Sequence, residues 1–563
     1  MAGDLDRPLL TDDSITCNNS VSDETLRRAN YGALDHSMLD DDESVDGGMI
    51  RRHLKDDSNV EVVLEDKRLS LGPAVMNMMN MIVGSGVIGL PNTLNQMGPG
   101  LGLLMMSTVA LSCEYTARLL IKVGLRVKVL EYEMMARRLW GTFGFVILSV
   151  FCWIANFGAL ASYVVIIRDE VPVVLRNYFG DSWWTETTVV VSVLLVFFAL
   201  PLFAPRDLSR LAWASTVSTL AITIFVVLVT VRGYMVSDGF KYSDRIVSDL
   251  PPYEFVRDDW QRVFQGVGTM SFAFAVHDVT YAMFNTLREH TYKGWVRVTR
   301  LSFLASFLIQ ALFAVCGYAT FYGDTEANIM RQFDDSDHIM NGVRIIMGIS
   351  MILTMPMIHY VARHYLLALL ELTLGTEAFQ GSRRTQHFAN LASVDDDSDT
   401  DDEEEHEVEV RTQPTSLSAI PEDDSVDDMS INMHPSEDSQ HESKRVRAPP
   451  PVSVRASNTC FYGVTLFHFL AAGAIGLKVG DLGLVLEVTG SLAASGVGYV
   501  LPVLFYWTVV GFWTPWRRVR RAPTFLSAVY RCLSALVPCF VLAFGLTSML
   551  VGTSLAFVDA FSD

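Results

Sequence analysis

Residues 74–102 read AVMNMMNMIVGSGVIGLPNTLNQMGPGLG. The stretch is apolar and long enough to cross a bilayer, whose hydrocarbon core of roughly 30 Å takes about 20 helical residues. Yet Gly-Ser-Gly stands in its middle, at Gly84, Ser85 and Gly86, with Gly89 and Pro91 following. A glycine inside a helix is unfavourable by about 1 kcal/mol relative to alanine, and backbone groups freed in lipid find no water. Two readings accommodate the interruption. Small residues at this spacing let membrane helices approach closely. Alternatively the helix unwinds there, which is tolerated at membrane depth only around a cavity or inside protein.

Working outward, apolar windows of similar length recur from Leu69 to Asp559, with charge clusters between them. The pattern predicts an all-α integral membrane protein of about eleven spans: 70–96, 100–124, 143–168, 186–204, 209–232, 262–286, 298–323, 342–372, 459–478, 482–510 and 525–552. With a cytoplasmic N-terminus, the short inside loops carry Arg126, Lys128, Arg137 and Arg138, then Arg206 and Arg210, then Arg288, Lys293, Arg297 and Arg300, and lastly Arg517, Arg518, Arg520 and Arg521. The opposite loops are acidic, as in DDSD at 334–337, and the asymmetry follows the positive-inside rule. No apolar signal region precedes the first span, which is therefore expected to act as its own insertion signal.

The net charge of −20 has two sources. Residues 1–66 hold 17 acidic and 6 basic side chains and residues 373–457 hold 20 and 7, which leaves the remaining core at +4. These segments are poor in apolar residues and cannot bury enough surface to offset ordering. The expected organisation is a disordered acidic cytoplasmic tail (1–67), spans one to eight (68–372), a disordered acidic cytoplasmic loop (373–457) and spans nine to eleven (458–555). Ser-acid clusters such as DDDSDTDDEEE suit a regulatory kinase, and DRPLL at 6–10 resembles an acidic dileucine sorting signal. The seven cysteines are scattered without CxxC spacing, so neither zinc nor disulfides are expected. No set of nucleophile, base and orienter points to an enzyme, and no nucleic-acid partner is expected.

A second span looks breakable. The sixth, FQGVGTMSFAFAVHDVTYAMFNTL (264–287), has Gly266 and Gly268 early and the polar pair His277 and Asp278 at mid-depth. Paired discontinuous helices at corresponding places in two halves point to a transporter's central site. An unwound turn exposes N–H groups that suit a carboxylate, and carbonyls that suit an ammonium group or a cation. Such a pair offers both poles that a zwitterion needs.

NMMNMIVGSGVIGLP in the first span resembles the first-helix signature of the amino acid/auxin permease family, most of all its sodium-coupled neutral amino acid transporters. Further matches follow in order: ANFGALASYVVIIRDEVP (155–172), SFAFAVHDV (271–279), GYATFYG (317–323), ILTMPMIHYVARHYL (352–366) and GSLAASGVGYVLPVLFY (490–506). The resemblance implies a LeuT-like fold, two inverted repeats of five helices plus an eleventh, and transport of small neutral amino acids with Na+ or H+ by alternating access. By position it implies that Val83, Gly84, Ser85 and Gly86, with Phe274, Ala275, Val276 and His277, cradle the substrate. It implies that Asn80 and Thr354 ligate Na+; carboxamide and hydroxyl oxygens suit a hard cation. No other cofactor is implied.

For single residues the alternatives stay open. Asn80 and Thr354 could instead bond neighbouring or own-helix backbone. His277 could line the pocket, act as a pH switch or satisfy backbone groups. Asp278 replaces a proline expected in relatives, and as an intramembrane acid it suggests proton coupling or selection of a cation. Glu114 could be a proton relay or the partner of Arg118 one turn on. Glu487 is expected to be solvated or paired near the outer end. The loops 233–261 and 324–341 lack the cysteines that bridge the corresponding loops of relatives. The expected localisation is a plasma or vacuolar/lysosomal membrane. The competing reading is a transporter-like amino acid sensor signalling through its cytoplasmic segments.

Overall fold

The first rod breaks where the glycines stand. Helix α1 (Leu71–Ile82) ends with the Val83 N–H donating to the Met79 carbonyl at 2.8 Å, and the Gly84 N–H turns back onto the Ile82 carbonyl at 3.0 Å. A tight 3-10 turn, Ser85–Gly89, leads into α2 (Leu90–Met97), and the two halves are bent by 53°. Pro91 sits in the first turn of α2, where no N–H is needed.

This computed structural model describes residues 69–206, 212–237, 256–257, 259–288, 290–375, 379, 452–520 and 524–562, all within one compact unit, Lys67–Asp563. The acidic tail 1–67, the dileucine-like stretch and all but the ends of the 373–457 insertion lie outside the described residues.

Helices follow one another through the rest. They are α3 (Pro99–Val127), α4 (Tyr132–Phe179), α5 (Thr187–Leu194, continued by a wide π turn to Phe203) and α6 (Ala212–Val236). Next come α7 (Trp260–Ala273), α8 (Thr280–Asn285), α9 (Tyr292–Phe321), α10 (His338–Leu374) and α11 (Asn458–Lys478). The tenth rod runs from α12 (Leu482–Val488) through two π turns, Thr489–Ala494 and Gly496–Val500, into α13 (Leu501–Val510). The last is α14 (Phe525–Thr547) with α15 (Thr553–Ser562) beyond a further π turn. No strand occurs among the described residues; a single bridge pairs Leu69 with Leu287.

Seven of these helices are individually long and apolar enough to cross a membrane, and the bent first pair makes an eighth; Thr187–Phe203 is apolar but shorter. By length and composition the count therefore stops short of the eleven expected. The third rod differs most from its predicted span of 143–168. Gly141 adopts φ 64°, a left-handed conformation open to glycine, and kinks α4 between a preceding segment and a rod that continues to Phe179.

The helices are inside-out relative to a water-soluble bundle. On α9, Leu304, Leu308 and Leu312 recur at helical spacing on the exposed face, while Thr299, Ser302, Ser306 and Gln310 are fully buried. Apolar residues outward and polar residues inward is the arrangement that lipid favours.

Packing sorts the rods into two groups. Helices α1, α2, α3, α7 and α9 pack on one another, whereas α4, α6, α10 and α11 form a second set, and the tenth rod contacts both α7 and α4. Gly266 and Gly268, read above as part of a break, lie in intact helix α7. Their role is close approach. A Cβ on Gly268 would lie 2.8 Å from the Glu487 carbonyl oxygen, and one on Gly490 would overlap the Gly268 carbonyl. Gly490→Ala should therefore lower the melting temperature of detergent-purified protein, by about 1–3 kcal/mol of overpacking. Gly463→Ala, on a face with nothing within 4 Å, should leave it unchanged or slightly raised. Equal melting of the two variants would contradict this packing.

Candidate functional site

The sixth rod breaks without glycine or proline. α7 begins at Asp259, whose side chain accepts from the Gln261 and Arg262 N–H groups, and ends at Ala273. Phe274 (φ −111°, ψ 5°) and Val276 (φ −143°, ψ 14°) leave the helical region before the tight turn His277–Val279 and α8. The two breaks touch: a Cβ on Gly86 would stand 2.8 Å from the Ala273 Cα, so only glycine permits this approach. Gly84 has nothing within 4 Å of its absent side chain and opens on a cavity. Both readings of the Gly-Ser-Gly thus hold, one for each glycine.

That cavity encloses about 310 Å³, at the small end of ligand sites. Gly84, Ser85 and Gly86 reach it from the first break, and Ala275, Val276, His277 and Asp278 from the second. α4 contributes Asn156 and Tyr163, and α10 contributes Met357 and Tyr360. Val83, half-buried, and Phe274, fully buried, are not among its lining residues. Among the described residues no arginine or lysine lines it. The Asp278 carboxylate accepts from Asn156 Nδ2 at 2.9 Å and from the Val279 N–H at 3.1 Å. His277, 1% exposed, lies with Nε2 2.9 Å from Thr116 Oγ1 of α3.

A second recess of about 60 Å³ adjoins it and is lined by Asn80, Gly84, Tyr163, Ser218 and Thr354 among others. Ser218 of α6 lies 2.5 Å from Thr354 Oγ1 and 2.8 Å from Ser350 Oγ, both on α10. Asn80 and Thr354, 274 positions apart in sequence, thus face one small space whose polar donors are carboxamide and hydroxyl oxygens. Among the described residues no carboxylate lines it.

Glu114 is elsewhere. It pairs with Arg118 at 2.5 Å and accepts from Thr299 at 3.3 Å, and it is not part of the cavity wall. Glu487 is buried and accepts from Gln96 Nε2 at 3.0 Å, so it is paired and not solvated. No cluster of three or more metal-ligating side chains occurs among the described residues, and the six cysteines there are free.

Residue-by-residue reading passed over Asn156, Tyr163 and Ser218. A lone polar side chain in an apolar run was the available signal for Asn156 and Ser218. It also passed over an ionic cluster at the end of α4. Glu170 accepts from Asn328 at 2.7 Å and lies 3.4 Å from Arg344, both 1% exposed; Arg344 also donates to the Met330 and Phe333 carbonyls. Asp169 pairs with Arg168 at 2.6 Å and Arg331 at 2.7 Å. The cluster ties α4 to the segment before α10.

Membrane-length helices throughout the described residues, two of them broken around one cavity, define a multi-pass membrane protein of the transporter kind. Residues 67–549 match the model of the transmembrane amino acid transporter protein family, and the chain belongs to that family, which is one of carriers and not enzymes. It is 31% identical over 297 residues to a protein of Mus musculus provisionally named sodium-coupled neutral amino acid transporter 11. That match covers 52% of this chain and 64% of the mouse protein, short of two thirds of the relative's length. It is 27% identical over 336 residues to vacuolar amino acid transporter 2 of Saccharomyces cerevisiae, covering 57% of this chain and 68% of the yeast protein. Among solved structures it is similar to Mhp1, a nucleobase-cation-symport-1 family transporter in a closed conformation with bromovinylhydantoin bound. The identity is 12%, with 88% of this chain and 94% of that one covered and a TM-score of 0.46.

The Glu170–Arg344 pair makes a stability prediction. Removing one partner of a buried pair strands the other charge and destabilises by about 3–5 kcal/mol. Glu170→Gln should lower the melting temperature markedly, and the double variant Glu170→Gln with Arg344→Met should recover part of the loss. Strict additivity of the two single changes would show that the residues do not interact.

Proposed function

We propose that the protein is a secondary active amino acid transporter that works by alternating access and is driven by Na+ or H+. The observation that carries this reading is the meeting of two broken rods, Gly86 against Ala273, at one small cavity. The turn at Ser85–Gly89 runs into α2, so its leading N–H groups present the positive end of a helix to a carboxylate. The C-terminal end of α7 presents carbonyls to an ammonium group. A free amino acid carries both groups on one carbon.

The adjoining recess supports cation coupling. Asn80, Ser218 and Thr354 offer neutral oxygens that suit a hard cation. With no carboxylate to balance a second charge, the donor set fits a monovalent ion better than a divalent one. In this reading α1, α2, α3 and α7–α9 rock against α4, α6, α10 and α11, and the cavity on the seam opens alternately to each side. The basic side chains of alternate short loops support a cytoplasmic N-terminus. The name of the yeast relative supports a vacuolar membrane. The name of the mouse relative also favours a neutral cargo.

Purified protein in liposomes should accumulate labelled amino acid against its gradient when a Na+ or pH gradient is imposed. Asn80→Ala and Thr354→Ala should raise the Na+ concentration for half-maximal uptake at least tenfold. Uptake unaffected by both variants but driven by pH would assign the coupling to H+. Absence of saturable, gradient-driven uptake for every amino acid tested would refute the carrier itself.

A further inference from the structure

The carrier reading leaves the cargo unnamed, and the wall of the cavity carries an inference about it that rests on that reading. Asp278 is held by two neutral donors, the Asn156 amide and the Val279 N–H, and among the described residues no arginine or lysine lines the same cavity. Beside it, the hydroxyl hydrogen of Thr116 is directed to its own helix, with the Ser112 carbonyl at 2.8 Å and the Cys113 carbonyl at 3.1 Å. In the tautomer in which Thr116 keeps its hydrogen on its own helix, His277 Nε2 supplies the proton in their 2.9 Å contact. Nδ1 is then a bare lone pair, buried and without a hydrogen-bond partner among the described residues. Gly498 faces that edge of the ring, where a Cβ would come within 3.3 Å of Nδ1.

Of the two adjacent side chains, Asp278 presents its carboxylate to the cavity, while His277 Nδ1 is closed off against Gly498. The broken helix ends already match the carboxylate and ammonium of any amino acid, so a neutral cargo would leave the part-buried Asp278 charge uncompensated against a largely apolar cavity wall. A lone buried charge of that kind is strongly disfavoured. A cargo with a second cation, on its side chain, removes the imbalance, and the apolar wall at Met357, Val361 and Val497 suits a methylene stem.

We propose that the cavity selects amino acids with a cationic side chain, the lysine, ornithine and arginine class. Asp278 pairs with the side-chain cation. A proton or coupling ion resting on Asp278 would supply the same positive charge, and the experiment separates these cases.

Counterflow into liposomes preloaded with unlabelled amino acid needs no driving gradient, so it reads selectivity apart from coupling. With the full chain, labelled lysine should exchange faster than labelled alanine and be inhibited by arginine. In Asp278→Asn the lysine-to-alanine ratio should fall at least tenfold. Lysine should also raise the melting temperature of the purified wild-type protein and not that of the variant, whose own cooperative melting confirms that it is folded. Exchange of alanine but not lysine by the wild type would overturn the assignment and leave the carrier reading intact. An equal loss of both cargoes in a folded Asp278→Asn protein would also overturn it, in favour of ion coupling at that carboxylate. Exchange of neither class by the wild type would reject both readings.

Discussion

Backbone groups in hydrocarbon have no water to bond, so a helix can open at membrane depth only where something else receives the freed N–H and C=O groups. The rest of this structure depends on that constraint. The opened turn at Val83–Gly84 is pressed by Gly86 onto Ala273, beside the second opening, and the intact part of α7 is pressed by Gly268 onto Gly490, inside the π turns of the tenth rod. Three irregular segments thus meet in one region, each shielding the others from lipid. Separated, each would expose unsatisfied backbone at several kcal/mol per group. Together they can enclose a hollow with polar backbone on its wall.

Charged side chains are used at the ends of the rods and concentrate in one of the two helix groups. At one end of α4, Glu170 and Asp169 hold Arg344, Arg331 and Arg168. Toward the other end of α10, the fully buried Arg363 donates to the Phe203 and Pro205 carbonyls and to Thr465, with its guanidinium 4.0 Å from the centre of the Phe461 ring. Arg206 stacks on the same ring at 4.1 Å. Arginine suits these places because its planar fork satisfies several acceptors at once and stacks on aromatic faces. These contacts bind α4, α10, α11 and the end of the fourth rod into one frame. In the other group the links are mostly single bonds between neighbours, such as Tyr281 to the Leu120 carbonyl and Trp295 to the Ala117 carbonyl. The first group is thus cross-linked by several buried arginines.

How far this was legible in the sequence depended on the kind of signal. Apolar windows marked most rods to within a few residues, since length and hydropathy are local properties. α4 was the exception, because a glycine at positive φ joins two helices that hydropathy reads as loop and span. The first break was visible in Gly84 and Gly86, yet the division of labour between them was not: which glycine faces a cavity and which faces a helix depends on a partner about 190 residues away. Gly266 and Gly268 misled for the same reason, being contact glycines in an intact helix. Asn80 and Thr354 were placed together only through a family resemblance. The Asn156–Asp278 and Glu170–Arg344 contacts, 122 and 174 positions apart, had no local mark beyond polarity in an apolar run.

The second break shows why glycine is not needed for an opening. Around Phe274–Val279 the hydrogen bonds a continuous helix would have made are taken over by side chains. Thr280 Oγ1 donates to the Val276 carbonyl at 3.0 Å, Asp278 accepts its neighbour's N–H, and His277 is anchored on Thr116. The Asn156 amide that meets Asp278 is itself oriented by the Cys152 carbonyl at 2.9 Å, so one of its hydrogens fixes the group to the frame and the other reaches across the seam. The carboxylate keeps lone pairs beyond these two bonds. It can therefore take a further donor from the cavity without releasing either, and the same contact that holds the turn open leaves its charge available to an occupant.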